Sequence, residues 1–127
     1  QIAGVAKHYV TADGTARGVQ EAFVQATALT CTAANSCGTG NGTFATGSSD
    51  TAGSVTLGTT PASGFIIGFG GTWVAAPVCT VWMNKAGMVV GKTVLTSVTS
   101  TTTITVVTNG TAPATGDIYA YRCTGLQ

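Results

Sequence analysis

The sequence predicts an all-β protein: a single antiparallel, jelly-roll-like β-sandwich of about eight strands with an N-terminal extension. Three observations carry that expectation. β-Branched and aromatic residues arrive in short runs broken by Gly, Pro, Asn or Asp, the spacing of strands and turns. Within the runs Thr alternates with apolar residues, most clearly from Thr102 to Val106, where Thr103 and Thr105 flank Ile104, and from Val55 to Leu57, which gives each strand one apolar and one hydroxylated face. Only Gly18 to Leu29 offers helical spacing, through Val19, Ala22, Phe23 and Ala26. It has no clear cap, and Phe23, Gln25 and Thr27 also alternate, so it is read as a strand.

The first strand is expected from Ala3 to Val10. Gln1 stands where a chain would begin with Met, as expected after a proteolytic cut, although the first ten residues lack the basic start and apolar run of a secretory signal. Residues 1–30 are read as an extension, an arm exchanged between subunits or touching other copies, with Ile2, Val5, Tyr9 and Val10 forming an assembly strand. Residues 31–127 are read as the sandwich domain. It opens with Cys31 to Asp50, rich in Gly, Ser, Asn and Thr and therefore expected as a long surface loop. Strands are then expected at Ser54 to Gly58, Phe65 to Phe69, Val78 to Met83, Gly87 to Val90, Thr93 to Val98, Thr102 to Thr108 and Ile118 to Cys123. Asn41-Gly42 and Asn109-Gly110 are turn dipeptides, the second connecting two strands.

Composition excludes several functions. Charged residues are 7% of the 127, hydrophobic residues 44%, and Thr about a fifth. That profile is the opposite of a disordered tail, and a net charge of +1 supplies no basic field for nucleic acid. Gly and Thr interrupt every apolar stretch well short of a bilayer span.

Cys31, Cys37, Cys79 and Cys123 include no Cys-x-x-Cys pair and stand beside a single histidine, so a zinc site is not expected. Of three disulfide connectivities, we favour Cys31 with Cys37, closing a short loop, and Cys79 with Cys123, tying a middle strand to the last one. Together with a processed start, this cysteine usage leads to the expectation of an oxidising, extracellular setting.

Motifs for chemistry are missing. His8, between Lys7 and Tyr9, has no nucleophile set, and no Gly-x-Ser-x-Gly occurs. Asp13, Glu21, Asp50 and Asp117 are far apart in sequence, and Asp50 and Asp117 precede strands at turns, where hydrogen bonding to backbone is the expected role. The runs Gly38 to Gly42 and Gly68 to Gly71 lack the Gly-Lys-Thr ending and strand-to-helix setting of a phosphate loop, and are read as loop and bulge glycines. The expectation is a protein that is not an enzyme, with no cofactor and no metal. Asn41-Gly42-Thr43 and Asn109-Gly110-Thr111 match the N-glycosylation pattern. Trp73, Trp82, Tyr119 and Tyr121 are read as packing residues in preference to a sugar-stacking platform.

Several segments occur together in order: Gly47 to Gly58 with its Asp50-Thr51-Ala52-Gly53 start, Phe65 to Phe69 leading to Trp73, and Ala76-Pro77-Val78-Cys79. After them come Val98 to Val106 and the ending Gly116-Asp117-Ile118-Tyr119-Ala120-Tyr121-Arg122-Cys123-Thr124-Gly125. Over roughly two thirds of the chain, from about Cys37, this resembles a Thr- and Gly-rich β domain found at the C-terminal ends of phage tail-fibre and related virion appendage proteins. The resemblance implies a compact β fold, oligomeric appendages, an external structural or receptor-contacting role, no catalytic residues, and again the pairing of Cys79 with Cys123. Tail fibres set such a domain after a long shaft, whereas about forty residues precede it here. The expected function is a self-assembling virion structural protein, of capsid-decoration or tail-fibre-tip type, forming a trimer with an apolar seam. The alternative is a secreted, pilus-like filament subunit whose N-terminal strand completes the sheet of the next copy in a helical polymer. Expected partners are the chain itself and a capsid or cell-surface glycan.

Overall fold

The computed structural model describes residues 8–10, 16–18, 27–84 and 90–126. Among the described residues nine strands follow one another: β1 (His8–Val10), β2 (Ala16–Gly18), β3 (Thr43–Phe44), β4 (Ala52–Thr56), β5 (Gly64–Gly68), β6 (Val78–Met83), β7 (Val94–Thr99), β8 (Thr103–Thr108) and β9 (Ile118–Thr124). Seven of them build an antiparallel sandwich, a four-stranded sheet in the order β3-β4-β9-β6 and a three-stranded sheet in the order β5-β8-β7. β1 and β2 pair with each other in a separate ribbon, Tyr9 opposite Arg17 and Val10 opposite Ala16. The predicted all-β sandwich is the observed fold.

The core lies between the sheets and follows the period-two pattern. Val55, Tyr119, Tyr121, Cys123, Val81 and Met83 face inward from one sheet, and Phe65, Ile67, Ile104 and Val106 from the other. Phe65 meets Tyr119 edge-on across the interior, with ring centroids 5.0 Å apart. Each such side chain, fully withdrawn from water, contributes about 1.5–3 kcal/mol.

Strand bounds differ from expectation by one or two residues, as at β4 and β5, except in four places. Of the expected strand Gly18 to Leu29, Gly18 ends β2, residues 19–26 lie outside the described residues and Thr27 to Leu29 is not strand, while Thr30 makes only an isolated bridge to Gly68, exchanging two backbone hydrogen bonds of 3.0 and 2.7 Å. Of the expected strand at Gly87 to Val90, residues 87–89 lie outside the described residues, and Val90 opens a 3-10 turn, Val90–Lys92. Only His8 to Val10 of the expected first strand falls among the described residues. The last of these is Cys31 to Asp50, which is anchored at both ends and not a plain surface loop. It contains a 3-10 turn (Ala33–Asn35) and β3, and buries Cys31, Cys37 and Asp50. Gly58 allows this segment to cross β4's exit, because a Cβ there would stand 2.6 Å from the Thr39 carbonyl oxygen and 2.7 Å from that of Asn41.

Both disulfides form as favoured. Cys31–Cys37 closes the anchored segment, and Cys79–Cys123 joins residues directly opposite on β6 and β9.

Candidate functional site

Asp50 and Asp117 are structural in their geometry, and Asp13 and Glu21 lie outside the described residues. Asp50 is fully buried and accepts hydrogen bonds from the N–H groups of Gly70 at 2.7 Å and Gly71 at 2.8 Å. Glycines that lack a phosphate-loop signature thus still cradle an anion, one supplied by the chain itself. Asp117 caps its own turn through the Ala114 N–H at 2.7 Å and pairs with the Lys92 ammonium at 3.2 Å. Beside each carboxylate a tyrosine donates to a backbone carbonyl: Tyr121 to Ser49 and Tyr119 to Lys92, both at 2.6 Å. Burial, reinforced by the neighbouring carboxylates Asp50 and Asp117 respectively, pushes both phenols upward, Tyr119 to about 12.

No three His, Cys, Asp or Glu side chains gather around a common point among the described residues. An open depression of about 350 Å³ beside β3 is lined by Thr27, Ala28, Leu29, Phe44 and Ser48, which bring apolar carbon and hydroxyls but no titratable group. Asn41 and Asn109 are both exposed, and the Asn41 side-chain oxygen accepts from the Ala33 N–H at 2.9 Å. Trp73, Tyr119 and Tyr121 are buried, as packing residues should be, while Trp82 alone of the four aromatics reaches the surface. Of the assembly-strand residues, Tyr9 and Val10 lie in β1, and Ile2 and Val5 fall outside the described residues.

What the structure assembles instead is an apolar surface. Among the described residues the exposed large hydrophobics are Val74, Val78, Trp82, Leu95, Val98, Val107 and Leu126. Val78 and Trp82 lie on β6, Leu95 and Val98 on β7 and Val107 on β8, with Val74 ahead of β6 and Leu126 beyond β9. None lies on β3, β4 or β5. Val78, Thr80 and Trp82 point outward from β6 because Val81 and Met83, at the other parity, are buried. Val74 and Leu126 extend this side, linked by a backbone hydrogen bond of 2.9 Å. On the other sheet Ile66, Thr105 and Val98 form one outward row and Val107 and Thr96 the next. A bulge between Val94 and Thr96 leaves Leu95 outward as well. β6 and β7 touch where the sheets meet, and the Thr99 hydroxyl donates to the Pro77 carbonyl there. Apolar side chains therefore stand on both outer faces of the sandwich, whose strands β6 and β7 touch.

The sequence carried a signal for this surface in strands that are apolar at both parities. β6 reads Val-Cys-Thr-Val-Trp-Met, and the doublets Val94-Leu95 and Val106-Val107 each place one apolar side chain inside and one outside. A one-sided sandwich strand has no use for the second set. No family model, curated protein or solved structure matches the chain.

Proposed function

We propose that this chain is an extracellular, self-assembling structural protein, a virion component of capsid-decoration or tail-fibre-tip type. The observation that carries the reading is the set of large hydrophobics exposed on the outer sides of β6, β7 and β8, in a chain with 7% charged residues. Large contiguous apolar surface marks interaction sites, and copies of the chain are the partner that assembly on such a surface requires. Two disulfides suit an oxidising exterior, and the tail-fibre-like motifs supply the virion setting.

The second reading, a filament built by N-terminal strand exchange, draws on the separation of the β1-β2 ribbon from both sandwich sheets. Electron micrographs and sedimentation of the native protein test the two together. Discrete closed particles are expected. Helical filaments that disappear on removal of residues 1–26 would transfer the function to the second reading, and a monomer at every concentration would overturn both.

A further inference from the structure

Resting on that self-association reading, we infer that the outer face of the three-stranded sheet docks the same face of a second copy, sheet against sheet about a twofold axis near Thr105. Four features of the face lead there.

The face has no charge. The strands β5 (Gly-Phe-Ile-Ile-Gly), β7 (Val-Leu-Thr-Ser-Val-Thr) and β8 (Thr-Ile-Thr-Val-Val-Thr) contain no Asp, Glu, Lys or Arg. The four-stranded sheet, by contrast, exposes Arg122 on its outer side. A charged partner would leave its own charges desolvated against the uncharged face without compensation, whereas an identical copy matches it in polarity.

Hydroxyls are self-complementary. Thr96, Thr103 and Thr105 stand among Ile66, Val98 and Val107, and a hydroxyl both donates and accepts. Across a twofold axis each residue meets its own kind or a symmetry-related neighbour, an arrangement that a carboxylate or ammonium would oppose and a threonine tolerates.

Shape agrees. Three strands paired side by side form a pleated surface with Val, Ile and Thr at its outward positions, the material of sheet-on-sheet packing at about 10 Å separation. Glycines at both ends of β5, Gly64 and Gly68, keep the rim low beside Ile66.

The chemistry is also selective. The outward positions carry no aromatic ring on which a sugar would stack, so a glycan gains little here, while Val98 at 65% exposure and Leu95 at 60% gain by leaving water.

Thr105 pairs with Ile66 on one side and Val98 on the other, at the centre of the face, so its symmetry mate lies opposite it. In Thr105→Glu and in Thr105→Lys, like charges then face each other, and each variant alone should weaken association on the order of a hundredfold. An equimolar mixture should restore it as a mixed dimer, measured by sedimentation and native mass spectrometry. Val98→Glu, at a more exposed position, is the companion variant and should also weaken association, with circular dichroism confirming the fold of each. If wild type associates and the single variants associate equally well, this face is not the contact. If the single variants are monomeric and the mixture stays monomeric, the face meets some other surface, and the twofold pairing is overturned. A wild-type monomer at all concentrations defeats the self-association reading itself, a different result from either.

Discussion

Tyr121 lies directly across the strand from Gly53, and its hydroxyl occupies the space where a side chain at 53 would begin: a Cβ there would stand 2.7 Å from that oxygen. The same hydroxyl donates to Ser49, and the next residue, Asp50, holds the N–H groups of Gly70 and Gly71. A missing side chain on β4 thus lets a tyrosine of β9 reach the β3-β4 connection, and that connection grips the loop leaving β5.

Gly53→Ala should cost about 2 kcal/mol, because the added methyl meets the Tyr121 hydroxyl and also the Ser48 side chain at 2.6 Å. Tyr121→Phe alone should cost about 1–2 kcal/mol through the unpaired Ser49 carbonyl. Combined, the two should fall short of additivity by about 0.5–1 kcal/mol, since Phe removes one of the two obstacles and leaves Ser48 in place. Urea denaturation of the four proteins measures this, and strict additivity would show that ring and glycine act independently.

Asp50→Asn should lower stability by about 2–3 kcal/mol. An amide offers one acceptor oxygen where the carboxylate presents two, and it turns an NH₂ toward one of the two glycine N–H groups. The loss should appear as a lower denaturation midpoint in urea. An unchanged midpoint would mean that the loop after β5 is held by other contacts.

Stability should fall as pH rises past about 10. Burial first, and the Asp117 carboxylate second, lift the Tyr119 phenol from 10.0 to about 12 in the fold, and Tyr121 moves the same way through burial and Asp50. Between those values the unfolded chain releases protons that the folded chain retains, so the folded state loses ground with each step in pH, while below 10 the contribution is fully present. Tyr119→Phe should flatten the alkaline slope of the melting temperature. An identical slope would place the effect elsewhere.

Fold class and core were legible in the sequence because both rest on parity: Ile104 and Val106 alternate with Thr, and the alternation is the sandwich. Strand ends slipped by one or two residues where Thr and Gly serve equally in strand and turn, as at Ala52 and Gly64. The Cys31 to Asp50 segment misled because its polar composition describes a loop, yet its fixed points are tertiary: Asp50 reaches glycines twenty residues away, and Gly58 admits the Thr39 and Asn41 carbonyls. No local pattern encodes such contacts. The apolar surface was half legible, in the two-sided strand β6 and the Val106-Val107 doublet, but where those strands stand in the two sheets is a fact of topology.

The two disulfides should differ in worth. Cys79 and Cys123 are 44 residues apart in sequence, and Cys31 and Cys37 only 6. Closing the longer loop removes more freedom from the unfolded chain, about 4 kcal/mol against about 2.4 kcal/mol in the loop-entropy account. Replacing each pair by alanines should therefore lower the melting temperature in that order, the Cys79/Cys123 variant further. Burial sets the order of reduction in the native state separately: Cys31 and Cys37 are 2% and 0% exposed, whereas Cys79 is only partly covered at its position on the edge strand β6. A mild thiol reductant without denaturant should consequently open Cys79–Cys123 first, as read by alkylation and peptide mapping. That step should loosen β6, which carries Trp82 and Val78, from β9. If the exposed apolar side chains are where copies meet, assembly should weaken at the same reductant concentration that frees Cys79. Assembly that persists after that bridge has opened would show that β6 is dispensable to the contact, and would leave the three-stranded sheet to carry it alone.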